Sequence, residues 1–535
     1  MTILALLLAF SATEKAAAAR ITAAEISANV RFLSDDQLEG RKPGQPGDEL
    51  AIKYLASQLE AMGYRPAGDN GTFLQPVPLV ELAGEVPREV IFNPGPKELR
   101  LRTDQGIQAD LVLGPSAHKD HESVKDAPLV FAGYGITAPE YGWDDYKDVD
   151  VKGKVVVLMN FNPPFKGEGV RVWYGRWDYK YLNAARHGAA GAIIIHTTPS
   201  AGYPWQVVVT SWGTPHHNLP PGPDDKFMEF RGWITESAAL KLAQLGAQDL
   251  DKLRKSAESK DFRPVALGST MSLEMPVHLK TIQSANVIGI LPGTDPMLKD
   301  HAVLYTAHHD HLGSRPVPPG QDGIFNGALD NASGCATVAA IARAATFARP
   351  RRSILVAFVT AEEQGLLGSE WLARHPPIPA NQIAADINLD SVNIWGRTND
   401  LGVLGLGKSS ADAVIRKVAA EQGRTVHGDP FPDRGAFYRS DMFSMARVGV
   451  PPVSVKGGPD YVGRPKGWGE EQNVLYERRH YHQPSDEYHG DWDLSGDVQD
   501  AQLQLIVGLR LANAPSLPSW TPGDEFEGAR KTASK

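Results

Sequence analysis

Two short stretches, His301 to His311 and His480 to His489, hold seven of the chain's sixteen histidines. The first, Tyr305-Thr-Ala-His308-His309-Asp310-His311, follows the apolar run AVLYT, so its side chains emerge at a strand end. Asp310, two residues after His308, can accept one imidazole N–H and leave the other ring nitrogen for a metal ion. Gly327-Ala-Leu-Asp330-Asn-Ala-Ser-Gly334 places an acid in a tight turn before a helix. Glu362 and Glu363 follow the apolar run Ile354 to Val359, where adjacent carboxylates repel unless a cation lies between them or one exchanges a proton. Asp390 ends another apolar run, IAADINLD, and His482 sits in the Pro-constrained Tyr481-His482-Gln-Pro-Ser-Asp486.

Each group alone has an ordinary reading, as a helix cap or a solvated strand end. Together, five acid or imidazole groups at successive strand ends describe a metal site. His308, Asp330, Glu363, Asp390 and His482 suffice for two divalent ions if one carboxylate bridges them and each ion keeps a position for water. Three carboxylates and one hydroxide balance the charge of two such ions. Glu362, beside a ligand but not needed as one, is free to carry a proton.

The elements that must position these groups begin near Asn286. Apolar strands there alternate with helices: VIGILPG, AVLYTAHHD, a helix from Ser333 to Phe347, SILVAFVT, a helical stretch near Leu366 to His375, IAADINLD, a helix from Ser409 to Gln422, and PPVSVK. This rhythm predicts an α/β fold, a mixed and mostly parallel sheet sandwiched by helices, with its chemistry at the carboxyl ends of the strands. A further packing helix is expected over Gly47 to Gly63. Residues 115 to 268 form short apolar runs and a helix feeding the strand Ala192 to Ile195, without a ligand cluster, and read as an inserted domain. The expected organisation is a leader at 1–19, a discontinuous catalytic domain at 20–114 plus 269–515, the insertion at 115–268, and a tail at 516–535. The Pro-rich tail reads as poorly ordered apart from Trp520.

Composition narrows the function classes. The 535 residues carry 54 Lys and Arg against 63 Asp and Glu, a net charge of −9, which disfavours nucleic acid as a partner. The single cysteine, Cys335, excludes an internal disulfide and any thiolate zinc cluster. The run Ile3 to Ala12 is shorter than a membrane span and matches the apolar part of a secretory signal, so an exported protein, periplasmic or secreted, without an integral membrane segment is expected, the alternative being an Ala-rich helical leader on a cytoplasmic protein. Gly402 to Ser409 (GVLGLGKS) fits a phosphate-loop pattern. The apolar strand runs through it, and no later strand ends in an evident Mg²⁺-binding Asp, so a nucleotide site is not expected.

These stretches resemble the M28 family of metallopeptidases, the zinc aminopeptidases of bacteria and their relatives. VRFLSDDQLEGR and the Gly47 to Tyr64 helix are similar to the family's N-terminal segment, and FYRSD, DYVGRPKGWGEE and YHQPSDEY to its C-terminal half. The resemblance implies two zinc ions, with cobalt or manganese as alternatives, held by His308 and Asp390 on one side, by Glu363 and His482 on the other, and bridged by Asp330. It further implies Glu362 as general acid/base, Asp310 as the partner of His308 and Tyr481 as an oxyanion donor, acting on peptides or small proteins. His309, His311 and His480 match no ligand position and are read as structural. Met442 stands where the family often has His after its Ser-Asp pair. The insertion resembles a β-rich protease-associated (PA) domain. Alternatives from the same fold are a carboxypeptidase, for which Arg434 and Arg439 are candidate carboxylate binders, and a one-zinc glutaminyl-cyclase-like acyltransferase. A receptor-like relative that has lost its ligands is disfavoured by the complete set here.

Overall fold

The computed structural model describes residues 10–93, 96–104, 106–212, 215–223 and 225–533. The chain divides into two compact units: Met1–Pro78, Ile282–Pro430 and Arg439–Lys535 form the first, and Leu79–Thr281 with Phe431–Tyr438 the second.

In the first unit, helices α1 (Ala12–Ala18), α2 (Ala23–Leu33) and α3 (Pro46–Ala61) precede the sheet. The last part of the long strand β1 (Val265–Leu291) is followed by β2 (Ala302–His308), α4 (Ser333–Ala345), β3 (Ser353–Val359), α5 (Leu367–Arg374), β4 (Ile383–Asn388), β5 (Asp400–Leu404), α6 (Ala411–Glu421) and β6 (Thr425–Gly428). Helix α7 (Met442–Arg447), β7 (Pro452–Gly457), α8 (Trp468–Arg479) and α9 (Ser495–Asn513) complete it. The order across the sheet is β1-β3-β2-β4-β7-β5-β6. The run β3-β2-β4-β7 is parallel, and β1 and β5 lie antiparallel to their inner neighbours.

Because side chains alternate along a strand, β2 and β3 feed two cores at once. Val303, Tyr305, Ala307, Ile354, Val356 and Phe358 pack into one cluster, and Leu304, Leu355, Ala357 and Val359 into the other. The small side chains of α4 (SGCATVAAIARAA) let it lie close against the sheet, and all its residues but Arg343 are buried. The register pairs His308 with Val359 and Thr306 with Asn388, so β2, β3 and β4 end side by side. This is the sandwiched, mostly parallel sheet that the strand-helix rhythm predicts.

Two boundaries differ from the sequence reading. The second unit begins at Leu79 rather than 115 and ends at Thr281 rather than 268. The outer part of strand Leu74–Gly84 pairs with His216–Asn218, and β1 continues without a break from Val265 past residue 281. The tail is the second correction. Trp520 is buried and its Nε1 donates to Gly449 O at 2.9 Å, Lys408 pairs with Asp524 at 3.1 Å and Glu525 at 2.6 Å, and Arg530 donates to Ile383 O at 3.0 Å. Trp520→Ala is expected to lower the stability of this unit by about 3–5 kcal/mol, read as an earlier midpoint in urea unfolding.

The same lysine bears on the phosphate-loop pattern. Lys408 points into the tail's acids, Asp412 Oδ2 already accepts the N–H of Gly407 at 2.6 Å, and Gly402 lies inside β5. Most of the expected leader's apolar run falls on residues 1–9, outside the described residues. The residues after it form α1, whose Ala17 and Ala18 are buried and whose Glu14 pairs with Arg510 at 2.8 Å. Among the described residues no helix is long and apolar enough to cross a membrane.

The second unit is β-rich. Strands Val155–Met159, Gly191–His196 and Phe230–Thr235 run parallel, flanked by Leu111–Pro115 and His121–Phe131. Among the described residues, both His and carboxylate clusters that could hold a metal ion lie in the first unit.

Candidate metal centre

The centre stands where β2, β3 and β4 end together. His308 is the last residue of β2. Glu362 and Glu363 follow β3 by three and four residues, and Asp390 follows β4 by two. Asp330 sits in the tight turn Ala328–Ala332 just before α4, and His482 in the loop after α8. Non-glycine residues in the left-handed region set these loops: Ala361 (φ 54°) before Glu362, Ser391 (φ 56°) after Asp390, and His482 itself (φ 57°). Such backbone costs on the order of 1–3 kcal/mol per residue and persists where surrounding contacts impose it.

Those contacts are polar and buried. Asp486 accepts the N–H groups of Leu329 and Asp330, each at 3.1 Å, and Tyr476 Oη donates to Asp486 at 3.1 Å. Asn331 donates to Leu389 O at 2.9 Å and accepts Ser391 N–H at 3.1 Å, tying the Asp330 turn to the Asp390 loop. The buried guanidinium of Arg41 donates to His309 O at 2.8 Å, Asn326 O at 2.6 Å and Gly327 O at 3.0 Å. Gly327 has φ +55°, and a Cβ there would lie 2.6 Å from the His311 ring and 2.2 Å from Asp330 O.

The two oxygens of Asp330 face different histidines. His308 Nε2 lies 3.3 Å from Oδ1 and His482 Nε2 lies 3.3 Å from Oδ2. His308 Nε2 is also 3.6 Å from Asp390 Oδ1, and His482 Nε2 is 3.1 Å from Glu363 Oε2. Ligands about 2.0–2.1 Å from a tetrahedral ion stand roughly 3.3 Å apart, the scale of all four separations. His308 Nε2 is buried without a hydrogen-bond partner, a costly arrangement unless a cation satisfies it.

The electrostatics agree. Burial opposes protonation of His308, yet Glu362, Asp310, Asp330 and Asp390 override it and hold its pKa well above the ordinary value. Burial likewise opposes protonation of His482, and Glu363 and Asp330 push it up to about 10. Burial would raise both Glu363 and Asp330. Instead His482 draws Glu363 down to about 2, and His308 and His482 hold Asp330 well below the usual carboxylate range. Carboxylates kept ionised around orphaned imidazole nitrogens form the donor set of a divalent cation.

The remaining predicted residues divide. Glu362 is near enough for its charge to act on His308, and burial first, then the charges of Glu363, Asp390 and Asp441, raises its pKa well above the usual range. Asp310 reaches His308 Nδ1 less directly than expected. Its Oδ1 is 3.6 Å away, its own carbonyl is 3.2 Å away, and its carboxylate accepts the N–H groups of Glu362 at 3.0 Å and Glu363 at 3.4 Å. Tyr481 stacks on His482 with ring centroids 3.9 Å apart, and its hydroxyl lies 3.3 Å from Arg439 Nη2. Arg434, in the second unit, stacks over Phe431.

His309 is structural, its Nε2 on Ala285 O at 3.1 Å and its Nδ1 3.5 Å from Asp48, and His480 binds Ser485. His311 departs from the structural reading. It is fully buried, its Nδ1 lies 2.6 Å from Glu363 Oε1, and with Asp330 and Glu363 it forms a second group able to hold an ion beside that of His308, Asp330 and Asp390. Both ring nitrogens of His311 and Oε1 of Glu363 are buried without a hydrogen-bond partner, a costly arrangement unless a cation satisfies them. His311→Phe is therefore expected to weaken zinc binding at the Glu363 and His482 position by about 10–100-fold, measured by chelator competition.

Residues 286–506 match the profile of Peptidase family M28, and residues 124–222 that of the PA domain. The chain carries a peptidase domain of family M28. The M28 match contains all five candidate metal ligands, and the PA match lies within the second unit. Among relatives, a probable zinc metalloprotease of Pyrenophora tritici-repentis is 34% identical over 126 residues, 23% of this chain and 27% of that protein. Aminopeptidase NAALADL1 of Rattus norvegicus is 25% identical over 362 residues, 56% of this chain and 43% of that protein. The chain thus spans between about a quarter and less than half of the length of these curated relatives. The solved aminopeptidase from Aneurinibacillus sp. strain AM-1 shares the fold, with a TM-score of 0.54 at 18% identity over 96% of this chain and 98% of that one.

Proposed function

We propose that this M28 chain is a two-zinc aminopeptidase that removes residues from the free amino end of peptides. The observation that carries the metal count is Asp330, whose two oxygens face two different histidines, each histidine having its own second carboxylate. A one-zinc acyltransferase has no use for the second of these positions. Bound zinc supplies Lewis acidity and lowers the pKa of coordinated water.

Every other contribution comes from the chain itself. Glu362, next to a ligand and with its proton affinity raised by burial, takes a proton at its carboxylate and returns it to the leaving amine. Tyr481 stays protonated, because burial keeps its hydroxyl far above the ordinary range despite Arg439, and so it can donate to a developing oxyanion. Asp310 fixes the backbone of Glu362 and Glu363. The acidic side chains that raise the proton affinity of Glu362, namely Glu363, Asp390 and Asp441, suit a substrate's ammonium group, which favours the amino end. Arg439, whose Nη2 lies 3.3 Å from the Tyr481 hydroxyl, favours the carboxyl end instead.

A panel of peptides blocked at one end or the other, assayed with zinc analysis of protein purified without chelator, tests the reading. Cleavage of C-terminally amidated peptides and none of N-acetylated ones supports it. The reverse pattern makes the protein a carboxypeptidase, and one zinc per active chain overturns the two-ion centre.

A further inference from the structure

Behind Asp390 a file of polar groups runs into the sheet. Asp386 and Asn388 lie two residues apart on β4 and therefore on one face, and Thr306 of β2 stands opposite Asn388 in the register. Ser440 Oγ lies 3.0 Å from Asp390 Oδ2, Asn388 Nδ2 lies 2.7 Å from Ser440 Oγ, and Thr306 Oγ1 lies 2.8 Å from both Asn388 Oδ1 and Asp386 Oδ1. Asp386, Asn388 and Thr306 are buried to within 1%.

The direction of every hydrogen in this file follows from one end. Asp390, as an ionised ligand, only accepts, so the single hydroxyl hydrogen of Ser440 goes to its Oδ2. Ser440 Oγ must then accept, which fixes the amide of Asn388 with Nδ2 toward Ser440 and Oδ1 toward Thr306. That carbonyl oxygen only accepts, so the single hydrogen of Thr306 goes to it. The oxygen of Asp386 therefore faces a hydroxyl with no hydrogen left to give, and two lone pairs 2.8 Å apart in a dry interior would repel. We infer that Asp386 is a neutral acid that donates to Thr306 and, through Asn388 and Ser440, commits Oδ2 of Asp390 to a hydrogen bond so that only Oδ1 is presented to a cation. Oδ1 is the oxygen that faces His308.

The surroundings of Asp386 fit. Its Oδ2 has no partner, tolerable for a neutral carboxyl and costly for a carboxylate. Burial pushes its pKa up to about 8, with Thr306 opposing and Asp441 adding to the rise. Asp386 is accordingly a positioning residue, acting on the ligand from four positions upstream. The metal half of this inference rests on the two-zinc reading, but neither readout below uses peptide hydrolysis, so a different substrate leaves it standing.

Infrared difference spectra of the wild-type protein minus Asp386→Asn test the protonation state. The expected result is loss of a protonated-carboxyl C=O band, and loss of carboxylate bands instead would overturn the inference. Zinc competition titrations test the relay. In Thr306→Val one of the two binding steps is expected to weaken by about 10-fold or more, with Ser440→Ala giving the same result should Thr306→Val fold poorly. Asp386→Asn, whose amide N–H can donate where the acid did, should keep wild-type affinity, and Asp386→Ala should not. Unchanged zinc affinity in Ser440→Ala, or equal losses in Asp386→Asn and Asp386→Ala, would refute the relay.

Discussion

Glu362→Gln is expected to lower kcat by about 10²–10⁴-fold while the zinc content stays at the wild-type value. Gln has the shape of Glu and can still accept hydrogen bonds, but it cannot take a proton and return it. Its backbone N–H remains on Asp310 Oδ1 and the five candidate ligand side chains are untouched, so the loss is confined to proton transfer. Initial rates on an aminoacyl substrate, together with metal analysis of the same preparation, check both halves. Loss of zinc alongside activity would instead make Glu362 a ligand.

Asp330→Ala is expected to abolish stable binding at both metal positions, since the change removes the oxygen facing His308 and the one facing His482 together. The drop in affinity should exceed the roughly 10–100-fold seen when a group supporting a ligand is lost. Asp390→Ala, by contrast, strips only the His308 side and should leave one ion in place. The zinc-to-protein ratio after dialysis against a weak chelator separates the two. If Asp330→Ala retained one tightly held ion, the carboxylate would not be shared.

Much of this arrangement was legible in the sequence, because a parallel sheet announces its strand ends. His308, Glu363 and Asp390 each follow an apolar run, and those runs proved to be adjacent strands. His311 was not legible. Side-chain alternation says where a residue points only while the chain stays extended, and β2 ends at His308. The relay from Asp386 left a trace, two polar residues spaced by two in the otherwise apolar IAADIN, but their partners Thr306 and Ser440 come from elsewhere in the chain. The tail was misread for a related reason. Its Pro and Gly content reports weak local preference, whereas its order comes from Trp520, Asp524 and Glu525 meeting Gly449 and Lys408.

The side-by-side endings of β2, β3 and β4 limit how this protein can be altered. Adding or deleting one residue inside any of these three strands would reverse its inward and outward faces up to the point of change, carrying a ligand or its support away from the others. Changes of length are better absorbed at the opposite, amino-terminal edge of the sheet, where connections such as residues 292–301 and 346–352 carry no part of the centre. Engineered tags, circular permutation or spliced loops belong on that edge.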